Sequence, residues 1–217
     1  DVLADLPAGL ELLDQLSGLY AERALAELGA FPQAGIWQTL ADLQQTLPLA
    51  DHADPRLQRL LEIGVAAGAL EEGGEKFRAL HPLSRALPAE LLARACKEHP
   101  ELSGQLELLS RCGAELAGVL RGEVDPLSLL FPDGSLATAE NLYRDSPFAR
   151  VYGGMAAAVA RKFAEERLAA EKLAGKVSSG LRILEIGAGT GGTTAFLLPA
   201  LAGHPFRYDF TDLSAGL

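Results

Sequence analysis

From Leu10 to Leu120, apolar side chains return every three or four positions, the period of a helix with one buried face. Leu10, Leu13, Leu16, Tyr20, Ala24 and Leu28 form one such face, ended by Gly29. Ile36, Leu40, Leu43 and Leu47 form a second that stops before Pro48, and Asp54-Pro55 opens a third helix running through Leu70. Glu71 to Leu80, EEGGEKFRAL, turns at Gly73-Gly74 and fits the wing of a winged-helix-like unit. Few basic residues accompany it, so it reads as an element that packs against protein. Leu102, Leu106, Leu109, Gly113, Leu116 and Leu120 repeat at helical spacing and read as helix-to-helix core.

The pattern breaks between Gly122 and Ser146, where Pro126, Pro132 and Gly134 interrupt it ahead of Pro147. Ser146-Pro147 then supplies an N-cap and a first-turn proline for another helix, whose apolar stripe is Phe148, Val151, Met155, Val159 and Phe163, with Tyr152 at its border. Lys172 to Gly180 reads as an exposed connection. Beyond it the period changes. Leu181, Ile183, Leu184 and Ile186 read as a buried parallel strand, Thr193 to Leu201 as a helix, and Phe206, Tyr208 and Phe210 as the apolar positions of a second strand. The expected fold is α/β: a mostly α-helical N-terminal lid over residues 1–121, a linker and helix over 122–176, and the first two strands of a Rossmann-like parallel sheet over 177–217, with the core incomplete.

Composition narrows the classes. The chain of 217 residues is 48% hydrophobic, enough for a core, and carries a net charge of -10 with a pI near 4.9. That balance argues against a surface tracking nucleic-acid phosphates. No run is long enough to span a bilayer and no leader pattern is present, so a cytoplasmic protein without membrane contact is expected. Cys96 and Cys112 lack metal-ligand spacing and read as reduced structural thiols, with no metal site expected. Arg144, Arg150, Arg161 and Lys162 are the nearest approach to a local basic patch and read first as a solvated helix face.

The chemistry concentrates in LRILEIGAGTGG, Leu181 to Gly192, where a strand meets a glycine turn that lets backbone approach a ligand. The spacing fits both GxGxxG (Gly187, Gly189, Gly192) and the acidic form ExGxGxG (Glu185, Gly187, Gly189, Gly191), so the glycines do not choose between ligands. A dinucleotide brings a pyrophosphate, to which a carboxylate two residues before the first glycine is a poor neighbour. S-adenosylmethionine (SAM) brings a sulfonium and an ammonium, which Glu185 favours. Asp212 closes the next strand about 20 positions on, where an acid can take two ribose hydroxyls in either ligand class. The expected cofactor contacts are therefore Glu185, Gly187, Ala188, Gly189, Thr190, Gly191 and Asp212, with Tyr152 as a further candidate and Tyr143 a weaker one.

At these residues the chain resembles the C-methyltransferase domains of polyketide synthases, class I SAM-dependent enzymes. LRILEIGAGTGGTT followed by YDFTDLSAG resembles that family's SAM loop and second strand, and VDPLSLLFPDGSLATAENLYRDSPFARVY, Val124 to Tyr152, resembles its approach to the core. Gly153-Gly154 departs from the asparagine the family often carries after that tyrosine. The resemblance implies methyl transfer from SAM to the α-carbon of a β-ketoacyl thioester on an acyl carrier protein, among neighbouring polyketide synthase domains. It also implies a histidine base after the second strand. None of His52, His81, His99 and His204 stands there, and His204, in the Gly203-His204-Pro205 turn, reads as a solvent-facing turn residue, so no catalytic base is assigned.

A sheet of that family carries about seven strands, each strand-helix unit needing roughly 30 residues. Residues 177–217 offer two, and are not expected to form a stable SAM site alone. The rival expectation is a non-catalytic, truncated or degenerate module that serves as a structural element in a synthase. A nicotinamide-dependent ketoreductase fold is disfavoured by Glu185.

Overall fold

The computed structural model describes residues 2–51, 53–175 and 180–213, which form two compact units, Asp1–Gly134 and Ser135–Leu217.

In the first unit a long helix α1 (Val2–Leu28) is the hub. Its inner face runs Leu12, Leu16, Tyr20, Ala21, Ala24, Leu25 and Leu28, all below a tenth exposed. After it come β1 (Gln38–Thr39), α2 (Leu40–Thr46), α3 (Asp54–Ala66), β2 (Leu70–Gly73) and β3 (Lys76–Ala79). The three short strands make an antiparallel sheet in the order β1-β3-β2. Helix, strand, two helices and a hairpin in that order are the winged-helix arrangement, and Glu71–Leu80 is its wing. The core is leucine: Leu16, Leu25, Leu43, Leu57 and Leu61 are fully buried, each contributing about 1.5–3 kcal/mol by leaving water.

Four short α-helices follow in the unit, with 3-10 turns at Pro100–Leu102 and Pro132–Gly134: α4 (Ala89–Glu98), α5 (Ser103–Ala114), α6 (Leu116–Arg121) and α7 (Pro126–Leu130). Small residues set how closely they approach α1. A Cβ on Gly113 would stand 2.7 Å from carbons of the Tyr20 ring, so α5 presses its glycine against that tyrosine.

Three boundaries differ from the periodicity. Ile36 lies outside the second helix and is 48% exposed, because Thr39 starts α2 with a capping box: Thr39 Oγ1 accepts the Asp42 N–H at 3.0 Å and Asp42 Oδ2 accepts the Thr39 N–H at 2.9 Å. The third helix stops at Ala66, and Leu70 begins β2 after Gly68 turns the chain with φ +76°. The leucine stripe from Leu102 to Leu120 is divided at Glu115 between α5 and α6.

The second unit opens with α8 (Ala137–Glu140) and one π-helical turn, Asn141–Asp145, in the segment that the prolines marked as broken. Then α9 (Pro147–Leu173), β4 (Leu181–Ile186), α10 (Gly192–Ala200) and β5 (Phe206–Thr211) follow. Ser146 caps α9, its Oγ accepting the Ala149 N–H at 3.2 Å while donating to the Leu142 carbonyl at 2.7 Å. The strands pair in parallel, from Leu181↔Phe206 to Ile186↔Thr211. Ala164, Leu181 and Leu201 form the buried centre, with Ala160 and Ile183 against it.

Two expectations of burial are corrected here. The expected buried strand is covered on one face only: Leu181 is buried, whereas Leu184 is 61% and Ile186 81% exposed, because the helical cover lies on the side of Leu181 and Ile183. Nor is the α9 stripe core. Met155, Val159 and Phe163 are more than half exposed, and the helix turns its small residues Gly153, Ala157, Ala160 and Ala164 inward. Close approach decides this, since a Cβ on Gly153 would stand 2.6 Å from Cε2 of the Phe196 ring on α10.

Candidate functional site

The glycine turn joins β4 to α10 at the carboxyl end of the parallel pair, the end at which open α/β sheets bind ligands. Gly187, Gly189 and Gly191 have φ of +71°, +54° and +75°, a region where a Cβ is strained. No atom lies within 4 Å of where a Cβ would stand on Gly187 or Gly189, so the turn presents bare backbone to open space. Gly192 is constrained differently: a Cβ there would meet the Tyr143 carbonyl oxygen at 2.5 Å, and the π-helical turn can lie on the start of α10 only because the side chain is absent.

Hydrogen bonds hold the turn to the second strand. Ala188 N–H donates to the Thr211 carbonyl at 3.0 Å, Gly191 N–H to the Ala188 carbonyl at 2.9 Å, and Gly189 N–H to Asp212 Oδ2 at 2.8 Å. Asp212 thus braces the turn from the tip of β5. A carboxylate has about four lone-pair sites and can accept several donors at once.

Glu185 sits one residue inside the end of β4, on the face covered by the helices. Its Oε2 accepts two hydroxyls, from Tyr208 at 2.6 Å and from Thr194, and the Thr211 hydroxyl donates to its main-chain carbonyl at 2.7 Å. Burial first, and then the bond to Glu185, push the Tyr208 phenol above its ordinary pKa. Tyr208 and Thr194 were not among the expected site residues. Their signal was present in the sequence: an oxygen-bearing aromatic among phenylalanines on β5, and a threonine in the first turn after the glycines. Two carboxylates, Glu185 and Asp212, flank the turn. That field suits a cationic ligand and opposes a pyrophosphate.

No family model matches the chain. Non-reducing polyketide synthase ausA of Aspergillus calidoustus is 36% identical over 166 residues, 74% of this chain and 6% of that protein. Among solved structures, the CurJ carbon methyltransferase superposes with a TM-score of 0.79 at 32% identity, covering all of this chain and 55% of that one. The citrinin polyketide synthase CMeT domain superposes at 0.71 and 25% identity, over 94% of this chain and 52% of that one.

The chain is a relative of the C-methyltransferase domains of polyketide synthases.

It spans about half the length of those methyltransferase structures and a small part of the curated synthase. Their shared α/β, class I methyltransferase architecture extends over the whole chain. Against this family background the remaining residues fall into place. Thr190 lies in the turn between Gly189 and Gly191, while Tyr152 on α9 is 66% exposed and Tyr143 63% exposed. His204 lies at the far end of β5 from the turn, its N–H donating to the Leu201 carbonyl at 3.0 Å. His81 and His99 belong to the first unit, and His52 lies outside the described residues. Of the local cations, Arg144 pairs with Asp145 at 3.1 Å and Lys162 with Glu166 at 3.3 Å, as solvated helix faces do. No helix among the described residues is long and apolar enough to cross a membrane.

Proposed function

We propose that this chain carries the start of the SAM site of a polyketide C-methyltransferase, which transfers a methyl group to the α-carbon of a β-ketoacyl thioester on an acyl carrier protein. The observation that carries this reading is the open glycine turn between two fixed carboxylates. The turn's bare backbone admits the ligand closely, Glu185 receives the ammonium of its amino-acid end, and Asp212 receives the ribose hydroxyls. Ala188 and Thr190 supply the walls of the same turn, and Tyr152 remains the candidate from α9. Bound SAM supplies an electrophilic methyl on a sulfonium. The residues of this chain hold and orient that ligand, so that a carbon nucleophile can approach in line with the departing sulfur. Generation of the enolate is not assigned to any of these residues.

Calorimetric titration of SAM, into this chain and into a version about 150 residues longer, tests the proposal. The longer protein binds SAM, and Gly189→Arg, which fills the open turn, abolishes binding. Equal binding by Gly189→Arg overturns the assignment of the turn. A second reading, a structural module without cofactor, draws on the exposed side chains of Leu184 and Ile186, which a packing partner would cover, and SAM binding by neither protein would support it.

A further inference from the structure

Resting on the SAM reading above, we infer that Tyr208 and Thr194 are positioning residues: they lock the Glu185 carboxylate through one oxygen, so that the other receives the α-ammonium of the ligand. Both hydroxyls donate to the same atom, Oε2, and Oε1 has no hydrogen-bond partner among the described residues. The asymmetry is built by three separate elements. Glu185 comes from β4, Tyr208 from β5 and Thr194 from the first turn of α10. The parallel register pairs Ile183 with Tyr208, which puts the phenol on the covered face two residues behind Glu185, close enough to reach forward to it. The Thr211 hydroxyl fixes the glutamate's own carbonyl at 2.7 Å, so main chain and side chain are both tied before a ligand arrives.

A purely structural role would be met more simply. A leucine at 185 and a phenylalanine at 208 would fill the same covered face with no polar group to satisfy. Instead, a carboxylate is placed beneath an open backbone turn and given two donors on one side. Pre-ordering a long, flexible side chain in this way removes the loss of freedom that binding would otherwise impose on it. The phenol is suited to the task, because an ordinary tyrosine, with a pKa of about 10, is already a donor throughout the neutral range, and burial with the bond to Glu185 only raises that value.

Two experiments test this. In the protein that binds SAM, Tyr208→Phe and Thr194→Val are titrated with SAM, S-adenosylhomocysteine and methylthioadenosine, which lacks the amino-acid end. The expected result is a loss of about three- to tenfold for the first two ligands, the scale of one hydrogen bond. Methylthioadenosine affinity stays within about twofold of the unaltered protein, since nothing in that ligand reaches Glu185. Thr194→Ser, which keeps the hydroxyl, restores SAM affinity. An equal loss for all three ligands shows a general collapse of the turn and overturns the positioning role, as does no loss for any. If the unaltered protein binds none of the three, the SAM reading itself falls, and this inference falls with it.

The second experiment needs no ligand. Tyrosinate absorbance of the chain is titrated with and without Glu185→Gln, and the Tyr208 transition moves down toward the ordinary phenol range in the variant. An unmoved transition shows that the phenol does not donate to Glu185 and overturns the inference.

Discussion

Gly153 and Gly154 stand side by side on α9, yet an added methyl should have opposite effects at the two. Neither has a positive φ, so alanine is conformationally acceptable at both, and the helix alone gains about 1 kcal/mol from either replacement. On Gly154 the new Cβ meets nothing within 4 Å, and that gain stands. On Gly153 it would lie 2.6 Å from Cε2 and 2.7 Å from Cγ of Phe196. Cγ is the root of the ring and not a mobile tip, so the ring or the whole of α10 must move, at an overpacking cost of about 1–3 kcal/mol. Gly154→Ala should therefore stabilise by about 1 kcal/mol. Gly153→Ala should range from neutral to about 2 kcal/mol destabilising, the balance of that gain against the overpacking. Urea unfolding followed by helix signal measures both, and Gly153→Ala with Phe196→Leu should recover part of the loss by vacating the ring's space. Equal stabilisation by both single variants would refute the packing of α9 on α10 through Gly153. Destabilisation by Gly154→Ala would refute its open position on the helix.

Asp212 and Asp42 supply two further predictions. Asp212→Ala removes both the brace on Gly189 N–H and the proposed ribose acceptor, and should weaken SAM binding by about 1.5–3 kcal/mol; Asp212→Asn can keep the neutral bond to Gly189 and should lose less. Equal affinity of all three proteins in calorimetry would leave Asp212 with no role in binding. Asp42 has its carboxyl held below the usual range, first by the Thr39 N–H and then by the Thr39 hydroxyl. Its contribution to stability is therefore complete above the unfolded pKa near about 4 and fades as pH falls through the lower folded value. The unfolding midpoint of the unaltered chain should thus fall more steeply below about pH 4 than that of Asp42→Asn, and parallel curves would contradict this.

The glycine turn was legible because its signals are local. Strand, turn, helix, second strand and the acid that closes it follow one another without interruption from Leu181 to Asp212, and each bond that shapes the turn joins residues within that run. Elements fixed by partners distant in the chain were harder to read. The two-residue β1 exists because Gln38 and Thr39 pair with Phe77 and Lys76, and nothing in its own composition marks a strand. Ile36 satisfied the helical period, but the Thr39-Asp42 box set the start of α2 and left it outside. On α9 the bulky stripe and the small-residue face share the same period. Periodicity could not say which turns inward, and the distance to Phe196 decides for the small one.

The same contrast bears on the covered and open faces of the sheet. On the covered face a glutamate is satisfied by two hydroxyls and sits beneath the turn. On the other, Leu184 and Ile186 are exposed, in register with Asp209 and Thr211. An apolar strand face left in water costs roughly 25 cal/mol for each Å² that could be buried. Glu185, by contrast, already takes two donors on one carboxylate oxygen. The bonds that orient the glutamate come from these residues, whereas Leu184 and Ile186 are left uncovered among the described residues of a chain that matches 55% of the CurJ methyltransferase chain. The groups proposed to hold the ligand are therefore arranged by local bonds, while Leu184 and Ile186 on the opposite face have stability to gain from any surface that buries them.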